Sequence, residues 1–552
     1  MLTPEYYYYC TDEIVELYSK LDESITRDIA RRIVKAGYVT EGAKWQIGVE
    51  REAGLLYDDI VEKVAEYSNA SEEAVKAIFE DAGITSTEYD NAIYRAAGKE
   101  PQPLLLSKPM MNVLNAGVIK THGLIDNLTM TTALSSQNAF INACSLAEME
   151  ISSGAFEYNT AIRNAVSKAI EDGNRVVYAS GAERTIEAAV RTAVMTGVSQ
   201  TTGEISLANA RELGTDLMRI TAHGGARPDH AKWQGQLVSL SGKRGYLSLK
   251  SIGYGEVTGF KGANCRHDWY PHIKGISSNP YTKKYLNELN NKTVTYNGKE
   301  MSLYDAQQKQ RAMERQMRDE RRQLVAYDDL REMVKSDEDK EFYQSKFDLL
   351  STKLKRHESV YKDFSKQTGL KTQAHRIQTN RYNRSVSQKA VHSDKKLFEA
   401  AKSVIPTEKM PKTIEEFNRI CYNPNNEFLN TLSALSYDEA TKVNALFTDR
   451  VVRSWYIHHD KQIINLIDKS LPLEEQAEQA FELRNKYKTQ ARDLMLNQED
   501  RKLLDEQEPI ITFEQLIEHK KRKGLSGDDI YRDIIDSSSK TRKTVNKKYG
   551  LE

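Results

Sequence analysis

The chain has 552 residues, enough for roughly two to four domains of about 150 residues each. Lys plus Arg and Asp plus Glu both total 79, so the net charge is zero and whole-chain attraction to nucleic acid or an anionic membrane has no basis. Four cysteines, dispersed at positions 10, 144, 265 and 421, exclude a disulfide-stapled scaffold, and assembly in a reducing compartment is expected.

The first residues lack both a basic and an apolar signal region, and no run approaches the ~18 apolar residues of a membrane span. A soluble chain without a secretion signal is expected. Tyr6 to Tyr9 read as an adhesive arm. Ile14, Leu17, Leu21, Ile25, Ile29 and Ile33 then recur mostly every four residues, which predicts an amphipathic helix over 12–36. A second capped helix is predicted from Ser71, ending near Gly83, and Pro101 and Pro103 punctuate the chain. Residues 126–172 predict a helix stopped by Gly173, followed by a short strand at 176–178 and a helix over 182–196.

From about residue 214 the texture changes. Short apolar runs at 217–222, 237–240 and 257–260 predict strands among glycine turns, and ten of the 29 glycines fall between 224 and 275. Beyond 298 only Gly369, Gly524, Gly527 and Gly550 remain, and 303–366 predict one or two long charged helices with a break near Ser336–Glu338. No strict heptad persists, so the reading is a helical arm and not a coiled coil. The expected fold is mainly α with a central α+β domain. Its parts are a helical N-terminal module (1–100), a glycine-rich β-containing core (101–298), a long charged helical arm with a basic segment (299–405) and a helical C-terminal domain (406–552).

The unusual chemistry concentrates in 223–272, which hold four of the eleven histidines, two of the four tryptophans and one cysteine. His223, His230, Cys265 and His267 are the types a tetrahedral zinc takes, and Cys265 and His267 would share one face of a strand. Neither pair has a finger spacing, however. The preferred alternative is a hydrogen-bonded knot in which Arg227, Asn264 and the imidazoles satisfy turn carbonyls, so no cofactor is expected and zinc is the lesser reading. A metal-dependent nuclease would need a His–Asn–His order and a carboxylate that this spacing does not supply. An ADP-ribosyltransferase would need an Arg, a Ser-x-Thr and a Glu. Arg184 and Glu187 occur singly, without the Ser-x-Thr strand. Gly253-x-Gly255 lacks the strand–helix context of a phosphate loop and reads as a turn. The glycine turns between His230 and Cys265 predict a hairpin that brings the two motifs together.

Between Lys353 and Lys396 there are twelve Lys/Arg against three Asp/Glu, a balance of +9 in a neutral chain. Such a stretch suits an acidic partner, either DNA or an acidic protein face, with Lys353, Lys355, Arg356, Arg381 and Arg384 as its contacts. The run from Lys540 to Lys548 repeats the pattern on a small scale, and His458-His459 read as surface or interface residues.

The paired motifs HGGARPDHAKWQG and YGEVTGFKGANCRHDWYPHIKG resemble the signature of phage minor capsid proteins, the minor capsid protein 2 or Mu F-like head-morphogenesis group of phages and prophages of Gram-positive bacteria. DIARRIVKAGYVTEGAKWQI, KTQAHRIQTNRYNRS and the closing residues are also similar to that group. The resemblance implies a non-enzymatic virion protein, multi-copy but sparse, acting in head morphogenesis near the portal. Its implied partners are portal or major capsid proteins and packaged DNA, with no membrane. The wider group sometimes carries C-terminal toxin domains, which keeps a head-packaged nuclease or ADP-ribosyltransferase as the alternative. The motif positions carried over are His223, Arg227, His230, Trp233, Gln234, Asn264, Cys265, Arg266 and His267, with the role of holding the central fold together.

Overall fold

The structure, a computed structural model, describes residues 1–36, 42–152, 158–178, 180–402, 407, 410–422, 467–494 and 511–538. It is mostly helical with small mixed sheets in the central region, as the sequence predicts. Two compact units are present: 1–347 with 362–387, and 348–361 with 388–552.

The first unit opens with a single helical turn, α1 (Tyr6–Tyr9). This is no free adhesive arm. Tyr7 and Leu2 are buried and the Tyr6 hydroxyl donates to Asp81 at 2.7 Å. Helix α2 (Asp12–Ala36) buries Ile14, Leu21, Ile25, Ile29 and Ile33, five of the six apolar residues at the expected spacing. It packs on α3 (Gly42–Ala96), which runs without a break through the start and stop expected at Ser71 and Gly83. The Ser71 hydroxyl donates back to the Ser68 carbonyl inside the helix. Gly83 is a packing position: a Cβ there would meet Leu104 Cδ2 at 2.8 Å.

Helices α4 (Lys108–Ser152), α5 (Tyr158–Asp172) and α6 (Ile186–Glu212) complete the helical layer. Between α5 and α6 lies a two-residue hairpin, β1 (Val176–Val177) with β2 (Glu183–Arg184). Helices α4 and α6 cross closely through a reciprocal pair. A Cβ on Gly117 would meet Thr201 Oγ1 at 2.1 Å, and one on Gly197 would meet Thr121 Oγ1 at 2.2 Å. Each glycine thus admits the other helix's threonine, and the two backbones approach as larger residues would forbid.

Asp90 on α3 is fully buried, accepts the Ser206 hydroxyl of α6 at 2.6 Å, and lies 3.7 Å from the chain's terminal ammonium. Burial pushes its carboxyl up to about 6, although that ammonium and Ser206 oppose the rise. The folded state therefore holds the extra proton between about pH 4 and 6, and stability falls as pH rises through that window, by up to ~1.4 kcal/mol per pH unit. Asp90→Asn should remove this dependence, so its stability relative to wild type should improve from pH 4 to pH 7 in urea denaturation. An unchanged difference across the window would refute the assignment.

The central sheet has the order β5-β4-β3-β6, built from β3 (Leu217–Ile220), β4 (Leu237–Ser239), β5 (Leu247–Ser248) and β6 (Trp269–Pro271). Strand β3 pairs antiparallel with both β4 and β6, through Met218↔Val238 and Arg219↔Tyr270, and β4 pairs parallel with β5. A short helix, α7 (Pro228–Ala231), fills the β3–β4 connection. Two of the three expected strands are present. The third, 257–260, is a chain of tight turns, because its backbone bonds locally, with the Gly259 N–H donating to Glu256 O and the Ala263 N–H to Val257 O. The return of the chain is therefore not a hairpin. Strand β6 adds to the far edge of β3, and the 250–264 turns lie between.

Helix α8 (Lys283–Asn290) and a hairpin the sequence reading missed, β7 (Thr293–Tyr296) with β8 (Lys299–Ser302), lead into α9 (Leu303–Met333) and α10 (Asp337–Thr368). The expected break falls at Val334–Ser336, where the Ser336 hydroxyl caps α10 by accepting from the Asp339 N–H, and Gly369 ends α10 at φ +71°. Helix α9 buries Met317, Leu324 and Leu330 in the first unit. Its Arg322 donates to the Thr26 hydroxyl and the Ile170 carbonyl and pairs with Asp319 at 2.7 Å. Gly173 leaves room for that guanidinium, which a Cβ would meet at 2.5 Å. A single turn, α11 (Ala374–Ile377), packs on α9.

In the second unit, the part of α12 (Arg384–Lys402) from residue 388 onward and α13 (Ile414–Tyr422) meet through Phe398 and Phe417, whose rings lie 5.2 Å apart. Helices α14 (Leu473–Leu494), α15 (Phe513–Arg522) and α16 (Asp528–Ser538) share a small core of Ala477, Phe481, Ile530 and Ile534. Thr512 and Gln515 form a reciprocal capping box at the start of α15.

Candidate functional site

The two central motifs meet. Cys265 Sγ lies 3.8 Å from His230 Nδ1 and 3.7 Å from His267 Nδ1, although 35 residues separate Cys265 from His230. His230 is carried by α7, and Cys265 and His267 by the strap that enters β6. His230, Cys265 and His267 are all nearly fully buried. Their ligand atoms lie within 4.8 Å of one another. His223 stands outside this trio, its ring tilted by 32° against that of His267 with the centroids 4.2 Å apart.

The remaining motif residues position these four. Gln234 Oε1 accepts from the His223 backbone N–H at 3.0 Å and from His267 Nε2 at 3.0 Å. Its amide nitrogen donates to Asn290 on α8. Arg227 donates to the Ala263 carbonyl at 2.7 Å and His230 Nε2 to the Thr258 carbonyl at 2.8 Å, so both motif ends are tied to the 257–264 turns. Asn264 holds φ +57°, a conformation asparagine tolerates better than most residues. Trp233 covers His230 and His267 at 4.5 and 4.8 Å and meets Phe260 edge-on, which joins the site to a core of Met218, Ile220, Val238 and Trp269.

The imidazoles are neutral. Burial pushes His223 down to about 4, with Arg266 and His230 adding to the fall and the hydrogen bond to Gly224 opposing it. Burial likewise lowers His267 and His230, and it raises the Cys265 thiol.

The cluster borders a cavity of about 850 Å³ within the first unit. His223, His230, Asn264, Cys265, Arg266 and His267 line one side, and residues of α2, α6 and α9 line the other. Among the described residues ten arginines and no lysine face it, against six carboxylates: Asp22, Glu23, Glu183, Glu187, Glu314 and Asp319. Burial, then the nearby Arg191 and Arg311, pushes the Arg376 guanidinium down to about 9. Arg184 and Glu187 both line this cavity but are engaged: Arg184 donates to Thr192 at 3.1 Å and Glu187 pairs with Arg318 at 3.3 Å.

The basic stretch is divided. Lys353, Lys355 and Arg356 belong to the second unit and Arg381 and Arg384 to the first. Arg356 is buried, Lys355 pairs with Glu358 at 2.8 Å, and Arg381 pairs with Asp329. The Glu23 carboxylate also accepts the backbone N–H groups of Asn380 and Arg381. Part of the +9 is therefore compensated inside the fold, whereas Arg384 is exposed. His458, His459 and the 540–548 run lie outside the described residues.

Two features escaped the sequence reading. One is the fully buried pair of Lys261 and Asp268, beside the cluster. The other is the arginine wall of the cavity, assembled from residues 175 to 376 with no local signature. Among the described residues no helix is long and apolar enough to cross a membrane.

Comparison with known proteins agrees with the motif resemblance. A protein named structural protein from Lactococcus phage LL-H is 23% identical over 298 residues, which cover 50% of this chain and 76% of that protein. No solved structure matches. Residues 2–381, which contain the whole of the central cluster and its cavity, match the family model of phage minor capsid protein 2, and the chain belongs to that family.

Proposed function

We propose that this phage minor capsid protein is a non-enzymatic component of the head that acts in morphogenesis near the portal, bound to an acidic face of a portal or major capsid protein. The family match over residues 2–381 carries the reading. The arrangement of the motif supports a structural role. Arg227, His230 and Gln234 are engaged with backbone groups of the same fold, which is how side chains fix a chain path rather than attack a substrate.

The exposed lysines and arginine of the basic stretch are the proposed contact. In the first unit these are Lys362, Lys366, Lys371 and Arg384. At ~0.15 M salt the Debye length is ~8 Å, so only a partner in close contact neutralises them. A protein partner is favoured because the chain as a whole is neutral.

Replacing these four residues by Gln should reduce incorporation into heads while leaving the fold intact, as judged by circular dichroism and by imaging of assembled particles. Unchanged incorporation would refute the contact. Loss of a DNA affinity that falls steeply with log salt, by about 0.9 per neutralised phosphate, would replace the protein partner with packaged DNA.

A further inference from the structure

The hydrogen-bond pattern around Cys265 cannot be completed by protons. Thr258 offers His230 a carbonyl oxygen, which only accepts, so His230 Nε2 must carry the hydrogen. The Gln234 amide has its orientation fixed, because Oε1 accepts the His223 backbone N–H; His267 Nε2 must therefore donate to it as well. In neutral imidazoles the Nδ1 atoms are then both lone pairs, and both point at one sulfur, at 3.8 and 3.7 Å. One thiol hydrogen can satisfy only one of them. A buried acceptor would be left facing a sulfur atom, at the cost of its lost hydration.

From this we infer that His230 Nδ1, Cys265 Sγ and His267 Nδ1 bind a zinc ion. A tetrahedral zinc with Zn–S of about 2.3 Å and Zn–N of about 2.0–2.1 Å needs sulfur–nitrogen separations of about 3.5 Å. Both sulfur–nitrogen distances are within a few tenths of an ångström of that, and the three ligand atoms lie within 4.8 Å of one another. The outer shell is already built. Ligating histidines donate their other ring nitrogen to a carbonyl or carboxylate, which Thr258 and Gln234 provide here. On binding, the thiol proton leaves and the thiolate takes its place as ligand. All three residues line the cavity. His223 also lines it. Its Nδ1 lies 3.2 Å from the Gly224 carbonyl, which leaves Nε2 as a buried acceptor with no hydrogen-bond partner among the described residues. Since His223 is not among the ligand atoms that lie within 4.8 Å of one another, a water closes the tetrahedron. The ion would pin α7 to the strap before β6, a structural use that the loose His-x6-His spacing did not announce.

Metal content is read on the purified full-length chain, so its outcome is separate from head incorporation. The chain produced in zinc-supplemented medium and dialysed against metal-free buffer should keep one equivalent of zinc by mass spectrometry. X-ray absorption at the zinc edge of the unmutated protein should show one sulfur and at least two imidazole nitrogens. Cys265→Ser should abolish retention, whereas Cys10→Ser and Cys144→Ser should not. Gln234→Ala should weaken zinc affinity by about 10–100-fold. No retained zinc, an edge spectrum without sulfur, or full retention by a folded Cys265→Ser protein would each overturn the assignment. Should Cys265→Ser fail to fold, the edge spectrum of the unmutated chain decides.

Discussion

Asp268→Asn should destabilise the first unit by about 3–5 kcal/mol, measured by denaturant unfolding at pH 7. Lys261 Nζ and Asp268 Oδ1 form an ion pair in which both side chains are wholly buried. Burial alone would raise the Asp268 carboxyl, but Lys261 and the chain's terminal ammonium hold it below the usual carboxylate range. The carboxylate also accepts the backbone N–H of Leu2, 266 residues away, and that of Trp269. Its own N–H donates to the Thr221 hydroxyl at 2.8 Å. Asparagine keeps the volume but leaves the Lys261 ammonium without a counter-charge in a dry interior, which is the costly case. The paired replacement Lys261→Met with Asp268→Leu should recover a large part of the loss, since removing both charges avoids the orphan. A loss below about 1 kcal/mol for Asp268→Asn would mean that water reaches Lys261.

Much of this architecture was legible because its causes are local. The α2 stripe, the helix break at Ser336 and the Gly173 stop are decided within a few residues, and each falls where the sequence places it. Gly83 misled because glycine has two uses, ending a helix and admitting a neighbour, and only Leu104 packed against it shows which one applies. The 257–260 run misled because its residue types suit a strand, whereas in the turns Val257 is exposed and Phe260 alone is buried. At the site, the two motifs meet as the sequence predicts. What the sequence could not supply was orientation. The preference for a hydrogen-bonded knot over zinc rested on spacing, whereas the lone pairs converging on Cys265 follow from Thr258 and Gln234, whose roles depend on tertiary contacts. The cavity arginines, drawn from α2's neighbours and from α9, are likewise a product of packing and have no linear pattern.

Gly259→Ala should cost about 3 kcal/mol or more and should loosen the cluster with it. A Cβ at this position would lie 2.0 Å from the Gly253 carbonyl oxygen and 2.6 Å from its carbon. Gly262 is as tightly enclosed, with the Glu256 carbonyl oxygen at 2.2 Å. These neighbours are backbone, so no side-chain rotation relieves the overlap and the loop itself must open. That loop carries the Thr258 carbonyl bonded to His230 and the Ala263 carbonyl bonded to Arg227. Opening it should free the His230 ring, so a zinc-loaded Gly259→Ala protein should also lose its metal to a chelator faster than wild type. Gly255→Ala is the matched comparison. It sits in the same turns at φ +83° with nothing within 4 Å of its added Cβ, so it should cost only the roughly 1–2 kcal/mol of a left-handed L-residue and leave the cluster closed. Equal losses for the two variants would show that the loop yields easily and that His230 does not depend on the Thr258 carbonyl for its orientation.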